Sequence, residues 1–325
     1  MNLRLALSKI AAENRLDSRA TRRVEELAGL HDQPASLSVW LPRGVAVLAA
    51  ALGGLGVIFW IAANWEALGR FGQFALLEAF ALVMCVGAMW RPVARAPLGL
   101  LALLTIGGLF AYFGQTYQTG ADPWQLFALW AGLTLPLCLG VRSDVVWAPW
   151  AMVAMSGVAL WVQAHTGHQW RVLPDDLRVH LLGWAAAFVL VGVLSPALRR
   201  WSGAGVWVLR TALTLAVMMI TLTALGGLFH TPIALHYGLG LAVLAAAALA
   251  LAQPRWFEVY GLSAVALGLN SLLVAGLARL LFDKGGGDLI GNLLLLGLAA
   301  AGLLAASVAA ILRLARRYGQ PGELA

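Results

Sequence analysis

The sequence predicts an all-α, polytopic membrane protein with about ten transmembrane helices and both termini in the cytoplasm, and three observations carry that prediction. Hydrophobic residues fill 61% of the 325 positions and charged residues only 11%, far from the makeup of a soluble domain. The apolar residues form continuous runs close to the roughly 20 residues a helix needs to cross a bilayer, without the alternation of a membrane barrel. The links between the runs carry arginine in alternation, rich and then poor, down to the C-terminus.

The runs lie at about 43–63, 71–90, 97–113, 124–141, 145–164, 179–198, 205–229, 235–252, 257–281 and 289–312. Pro136 and Pro149 shorten or break the fourth and fifth. Tryptophan supports the boundaries: Trp40, Trp65, Trp90, Trp124, Trp170, Trp201 and Trp256 stand at predicted ends, where an amphipathic ring prefers the interface.

Charge sets the expected orientation. One side collects Arg4, Lys9, Arg15, Arg19, Arg22, Arg23 and Arg43, then Arg91, Arg95, Arg142, Arg199, Arg200 and Arg255, and finally Arg313, Arg316 and Arg317. The other holds Arg70, Arg171, Arg178, Arg279 and Lys284. The positive-inside rule places the first group in the cytoplasm and requires an even number of spans. The net charge of +7 is then cytoplasmic anchoring against anionic headgroups, and nucleic acid is not an expected partner. Arginine outnumbers lysine twenty to two, which suggests a GC-rich bacterial genome and hence a bacterial inner membrane. Cys85 and Cys138 sit inside spans without paired spacing and read as packing residues.

Residues 1–42 read as a cytoplasmic helical segment, 43–317 as the transmembrane domain and 318–325 as a cytoplasmic tail. The segment is no signal peptide, since no short apolar core with a cleavage site follows its charges. Leu3, Leu5, Ile10 and Leu16 line a first helix. Asp17 or Ser18 caps a second, striped by Val24, Leu27 and Leu30, and the pair ends near His31 to Pro34. Two helices with exposed Arg19, Arg22 and Arg23 are too few for a DNA-binding fold, so residues 1–30 are expected at the membrane surface or on a protein partner.

Faint repetition appears at Gly53-Gly54, Gly107-Gly108 and Gly226-Gly227, each in the later part of an odd-numbered span. Close helix packing is the favoured explanation; a repeated two-span unit is the other.

Function is sought among polar groups in or beside the spans. Asn64-Trp65-Glu66 ends the first span, and Gly114-Gln115-Thr116-Tyr117-Gln118-Thr119-Gly120-Ala121-Asp122-Pro123-Trp124 joins the third to the fourth on the same predicted outer side. Helix-end chemistry accounts for Gly120, Asp122 and Pro123. It accounts poorly for Gln115, Tyr117 and Gln118, which suit a shallow pocket for a lipid headgroup or small polar solute.

These segments carry a resemblance. Gly56-Val57-Ile58 leading into Ala62-Ala63-Asn64-Trp65, then Gly114-Gln115-Thr116-Tyr117, then Trp124-Gln125-Leu126-Phe127-Ala128-Leu129-Trp130 before Leu135-Pro136, resemble a bacterial membrane-protein family called domain of unknown function 2157. The likeness covers roughly residues 1–145 and includes a helical segment ahead of the first span. It implies membership without an activity.

Glu78 lies within the second span, where a carboxylate is a functional candidate by default. It either stays protonated or pairs with Arg279 near the outer end of the ninth span. Asn270 and Asn292 suit an interhelical hydrogen-bond network, or an outward cavity shared with Gln73, Gln115 and Tyr117. Arg210 is expected to snorkel to the cytoplasmic face along Thr214 and Thr221. His165, His168, His180, His230 and His236 gather on the outer side but lack a metal-ligand pattern, and no phosphate loop, cofactor motif or nucleophile elbow appears, so no cofactor, metal or catalytic residue is assigned. Three functions remain open: a transporter, flippase or permeation protein with an outward polar pocket; a membrane scaffold docking partners through residues 1–30; and, ranked last for want of a paired catalytic constellation, a membrane enzyme using Glu78 or Asp122 with histidines of the outer side.

Overall fold

The computed structural model describes residues 9, 13, 16–27, 35–63, 65–117, 120–167, 169–283 and 289–318, and among these every regular element is helical. The chain divides into two compact units, residues 1–52 and 53–325.

In the first unit, α1 (Ser18–Leu27) begins at an Asp17 cap, whose carboxylate accepts the Ala20 N–H at 2.7 Å and satisfies an open donor of the first turn. Arg19, Arg23 and Leu27 are exposed on it. Of the expected helix before it only Lys9, Glu13 and Leu16 are described, the first two as helical, and the stretch His31 to Pro34 lies outside the described residues. The next helix, α2 (Ala35–Ala63), starts before the apolar run at 43, because helical hydrogen bonding propagates through the mostly apolar residues 35–42 once a nucleus exists.

The second unit continues from α2 through α3 (Trp65–Trp90), α4 (Arg95–Tyr117), α5 (Pro123–Val141), α6 (Asp144–His165), α7 (Leu177–Val193) and a four-residue α8 (Arg199–Ser202). Then follow α9 (Val206–Leu228), α10 (Leu235–Leu251), α11 (Val259–Phe282) and α12 (Leu289–Tyr318). Among the described residues nine helices are long and apolar enough to cross a membrane. The eighth predicted span, α10, is shorter at 17 residues, or about 26 Å at 1.5 Å per residue. Proline sets several starts, since its missing N–H costs nothing in a first turn. Pro92, Pro174 and Pro196 each open a 3-10 turn leading into α4, α7 and α8, and Pro123 begins α5 behind Asp122. Pro136 and Pro149 do not break their helices; α5 and α6 run through them. A kink at Gly69, with φ of +62°, uses a conformation that glycine tolerates.

Side-chain hydrogen bonds sort the helix ends from α6 to α11 into two groups. At one, Arg142 Nη2 donates to Arg200 O at 2.6 Å, Trp147 Nε1 donates to Ser202 O at 2.9 Å, and the Asp144 carboxylate accepts the Trp207 N–H at 3.1 Å. At the other, Arg279 Nη2 donates to His230 O at 2.6 Å, a His230 ring nitrogen meets Val172 O, and His236 meets His180. The arginine-rich links thus gather at one end and the arginine-poor links at the other. Starting beside His180 and finishing against Gly261 at the head of α11, α10 runs from one group to the other despite its length.

Packing centres on α9, which touches α6, α7, α10 and α11. The glycine pairs serve close approach. A Cβ on Gly107 would meet the Trp130 ring, which is held by its Nε1 donating to Leu103 O at 3.0 Å, and one on Gly227 would lie 2.7 Å from His236 Cβ. By contrast α12 packs on α11 and leaves leucines such as Leu298 exposed, as expected of a helix facing lipid.

Arg210 does not simply snorkel. Its Nη2 and Nε donate to Glu258 Oε1 at 2.8 and 3.0 Å, and its guanidinium lies 5.1 Å from the Trp207 ring and 5.3 Å from the Tyr260 ring. Glu258 is the second residue of the ninth apolar run and the cap of α11. The fold sets the heads of α9 and α11 side by side, so the carboxylate arrives at the depth of the arginine.

Candidate functional site

The structure scatters the residues singled out from the sequence. Asn64 and Gln118 lie outside the described residues, and of Trp65 only its place at the head of α3 is described. Gln115 lines a shallow hollow of about 510 Å³ with Gly114, Gly120, Pro123 and Leu126. Tyr117 turns away to ring contacts with Phe113 and Phe74 at 4.8 and 5.9 Å. Gln73 is buried on α3, and Asp122 stands at the cap position of α5. Asn270 exchanges hydrogen bonds with Ser307 across α11 and α12, at 3.1 and 3.2 Å, and Asn292 Nδ2 donates to Leu281 O.

Of the two alternatives for Glu78, pairing with Arg279 is not made. Glu78 is exposed on α3, whereas Arg279 is committed to the His230 carbonyl near the end of α11. An arginine close to a helix end can reach a backbone carbonyl in the adjoining link, and Arg279 does so through Nη2, while its buried Nη1 has no hydrogen-bond partner among the described residues.

A different place has the character of a site. Between α6, α7 and α9, roofed by residues 169–172, lies a cavity of about 540 Å³. Its wall is apolar along Met152, Met155, Val162, Leu215, Met218 and Leu222, while Gln163, Gln169, Arg171 and His180 give it a polar end. From Met152 to Thr166 the lining follows α6 for about 21 Å, taking 1.5 Å per residue. Met152, Met218 and Leu222 are each more than half exposed, so the apolar part opens sideways from the helices. Trp184 lines the interior at 3% exposure, and its indole N–H has no hydrogen-bond partner among the described residues. A buried donor in that state normally costs about 1–3 kcal/mol.

Behind the polar end stands a buried histidine pair. His180 Nδ1 lies 3.0 Å from Asp176 O and 3.3 Å from His236 Nε2, with the rings edge to face at 4.9 Å between centroids. A carbonyl only accepts, so Nδ1 of His180 carries the proton and Nε2 of His236 accepts it. The second proton then sits on His236 Nδ1, a buried atom without a partner among the described residues. The pair fixes the His180 ring at the cavity wall. No group of three or more His, Cys, Asp or Glu side chains among the described residues is placed to hold a metal ion.

None of this was legible from motifs. Methionines at 152, 155, 218 and 219 read as ordinary span residues, and the buried Trp184, seven residues into α7, carries no boundary signal. The one available hint was the density of polar residues from Gln163 to Arg171 beside those spans.

Apolar helices of membrane-crossing length, with a cavity opening sideways between them, define a polytopic helical membrane protein. Residues 9–147 match the model of the family described as Predicted membrane protein (DUF2157), so the likeness read from the sequence is shown over that N-terminal stretch. No curated protein and no solved structure matches the chain.

Proposed function

We propose that this protein lies in a bacterial inner membrane with both termini cytoplasmic, and that it takes an amphiphile from the bilayer into the cavity between α6, α7 and α9, in the manner of a transporter or flippase. The observation that carries this reading is the cavity: an apolar wall open to the side and a polar end. Ligand pockets have this mixture, with few polar groups orienting a mostly apolar occupant, and commonly measure about 300–1,000 Å³. Side access suits a molecule already dissolved in the membrane.

Ala159 lines the cavity from α6, and Ala159→Trp puts an indole into part of it. Native mass spectrometry of protein purified from membranes is expected to show a lipid-sized species on the wild type and clearly less of it on the variant. Equal loading of two well-folded proteins sinks the reading. In proteoliposomes the wild type is expected to move labelled lipid between leaflets faster than Ala159→Trp, and equal rates overturn the transport half.

The arginine asymmetry supports the orientation. A compartment-sensitive reporter inserted at Phe229 is expected to report the periplasm, and one placed after Tyr318 the cytoplasm; the reverse pattern overturns it.

A further inference from the structure

We infer that two copies of this chain pair in parallel along the exposed side of α3, with the Glu78 carboxyl group of one hydrogen-bonded to the Glu78 carboxyl group of the other. The pairing is independent of the cavity described above, to which α3 contributes no lining residue.

The two sides of α3 differ. One packs on α4, where Leu77 is buried and the Phe74 and Tyr112 rings lie 4.4 Å apart. On the other, Phe71, Ala75, Glu78, Leu82, Cys85 and Met89 follow one another at spacings of four, three, four, three and four residues. Five of these are exposed, and Cys85 is half-buried. Steps of four and three average 3.5 residues, the period of the seam between two helices that supercoil left-handedly. No other helix covers this seam among the described residues.

Glu78 occupies its middle. It stands nine residues from the start of the span at Gly69 and twelve from its end at Trp90. At 1.5 Å per residue it lies about 14 and 18 Å from the two ends, near the centre of a hydrocarbon layer about 30 Å thick. Its carboxyl group is exposed there and makes no hydrogen bond or ion pair among the described residues. Ionisable groups at such depth almost always face the interior of a bundle and pair with one another or with backbone carbonyls. A lone one on an open seam therefore marks a face that another helix covers.

The helix that fits is a second α3. Copies inserted the same way round stand parallel, so a twofold pair brings equal positions together at equal depth and sets Glu78 against Glu78. In the acid form each carboxyl group donates through its hydroxyl and accepts through its carbonyl oxygen, so the two satisfy each other without placing a charge in lipid. One polar position in an otherwise apolar seam also fixes the register. Ala75, one turn before Glu78, is small enough for the two backbones to approach.

The test uses the full-length protein in proteoliposomes. Oxidative cross-linking with copper phenanthroline is expected to give a covalent dimer through the native Cys85 in the wild type and in Cys138→Ser, and none in Cys85→Ser. In the Cys85→Ser background, Leu82→Cys on the seam is expected to cross-link and Val83→Cys beside it is not. Leu82 and Val83 are 65% and 61% exposed, so random collision would treat them alike. Single-molecule photobleaching over a range of protein-to-lipid ratios then measures the affinity. Glu78→Leu is expected to weaken the dimer about tenfold, the scale of a strong interhelical hydrogen bond in lipid. Glu78→Gln, whose amide both donates and accepts, is expected to stay within about threefold of the wild type. Both substitutions fall on the side of α3 away from α4, so they leave its packing intact.

Equal cross-linking at Leu82→Cys and Val83→Cys, or monomers at every protein-to-lipid ratio, overturns the dimer. A Glu78→Leu dimer as tight as the wild type overturns the carboxyl contact. Equal losses in Glu78→Gln and Glu78→Leu show a carboxylate held by a cation, and overturn the acid pair.

Discussion

Trp147→Ala is expected to destabilise the protein by about 3 kcal/mol, near the lower end of the range for truncating a buried tryptophan. Trp147 is 1% exposed, meets Trp150 edge to face at 5.1 Å, and donates its Nε1 hydrogen to Ser202 O at 2.9 Å. Removing the indole empties the contact between the head of α6 and the segment entering α9 and strips a buried carbonyl of its donor. The usual transfer contribution shrinks here, because a span separated from its neighbours still lies in lipid; the void and lost dispersion contacts remain. Trp147→Phe keeps most of the ring and is expected to lose only about 1 kcal/mol, the value of the hydrogen bond. Thermal midpoints in micelles, followed by the loss of the monodisperse chromatographic peak, check both. An alanine variant as stable as the wild type would show that this aromatic cluster does not hold α6 to α9.

Glu258→Ala should cost about 2–3 kcal/mol through two losses at once. Glu258 Oε2 accepts the Gly261 N–H and caps α11, a role worth about 0.5–2 kcal/mol. Its Oε1 meanwhile holds Arg210 between two aromatic rings. Breaking one partner of a buried pair commonly costs about 3–5 kcal/mol; with side chains 29% and 23% exposed, part of that is recovered by solvent. The double variant Arg210→Met, Glu258→Leu leaves no lone charge and is expected to recover the ion-pair component, retaining only the loss of the cap. A double variant less stable than Glu258→Ala contradicts this account.

Elements defined by neighbouring residues were readable in advance. The Asp17 cap on α1, Pro123 at the head of α5 and the ten apolar runs all appear as helix starts and helices, because hydrogen bonds four residues apart and a continuous apolar run are local properties. The two groups of links were readable for a related reason: alternate spans return the chain to the same end. Glu78 was not readable in this way. A carboxylate in a span marks cost, but which face it occupies depends on how α3 packs, and it emerges exposed. Arg210 and Glu258 are 48 residues apart, and only the adjacent heads of α9 and α11 make them a pair.

The sequence by itself determined that this is a helical membrane protein, where its helices lie and which links share an end, since lipid cannot satisfy backbone polar groups and so forces each apolar run to close its own hydrogen bonds. Only the tertiary structure decided which faces meet. A methionine facing lipid and one facing a cavity have the same transfer preference, so nothing in their order along the chain distinguishes them. The space between α6, α7 and α9, with Arg171 and His180 in its polar lining, exists only once those helices pack.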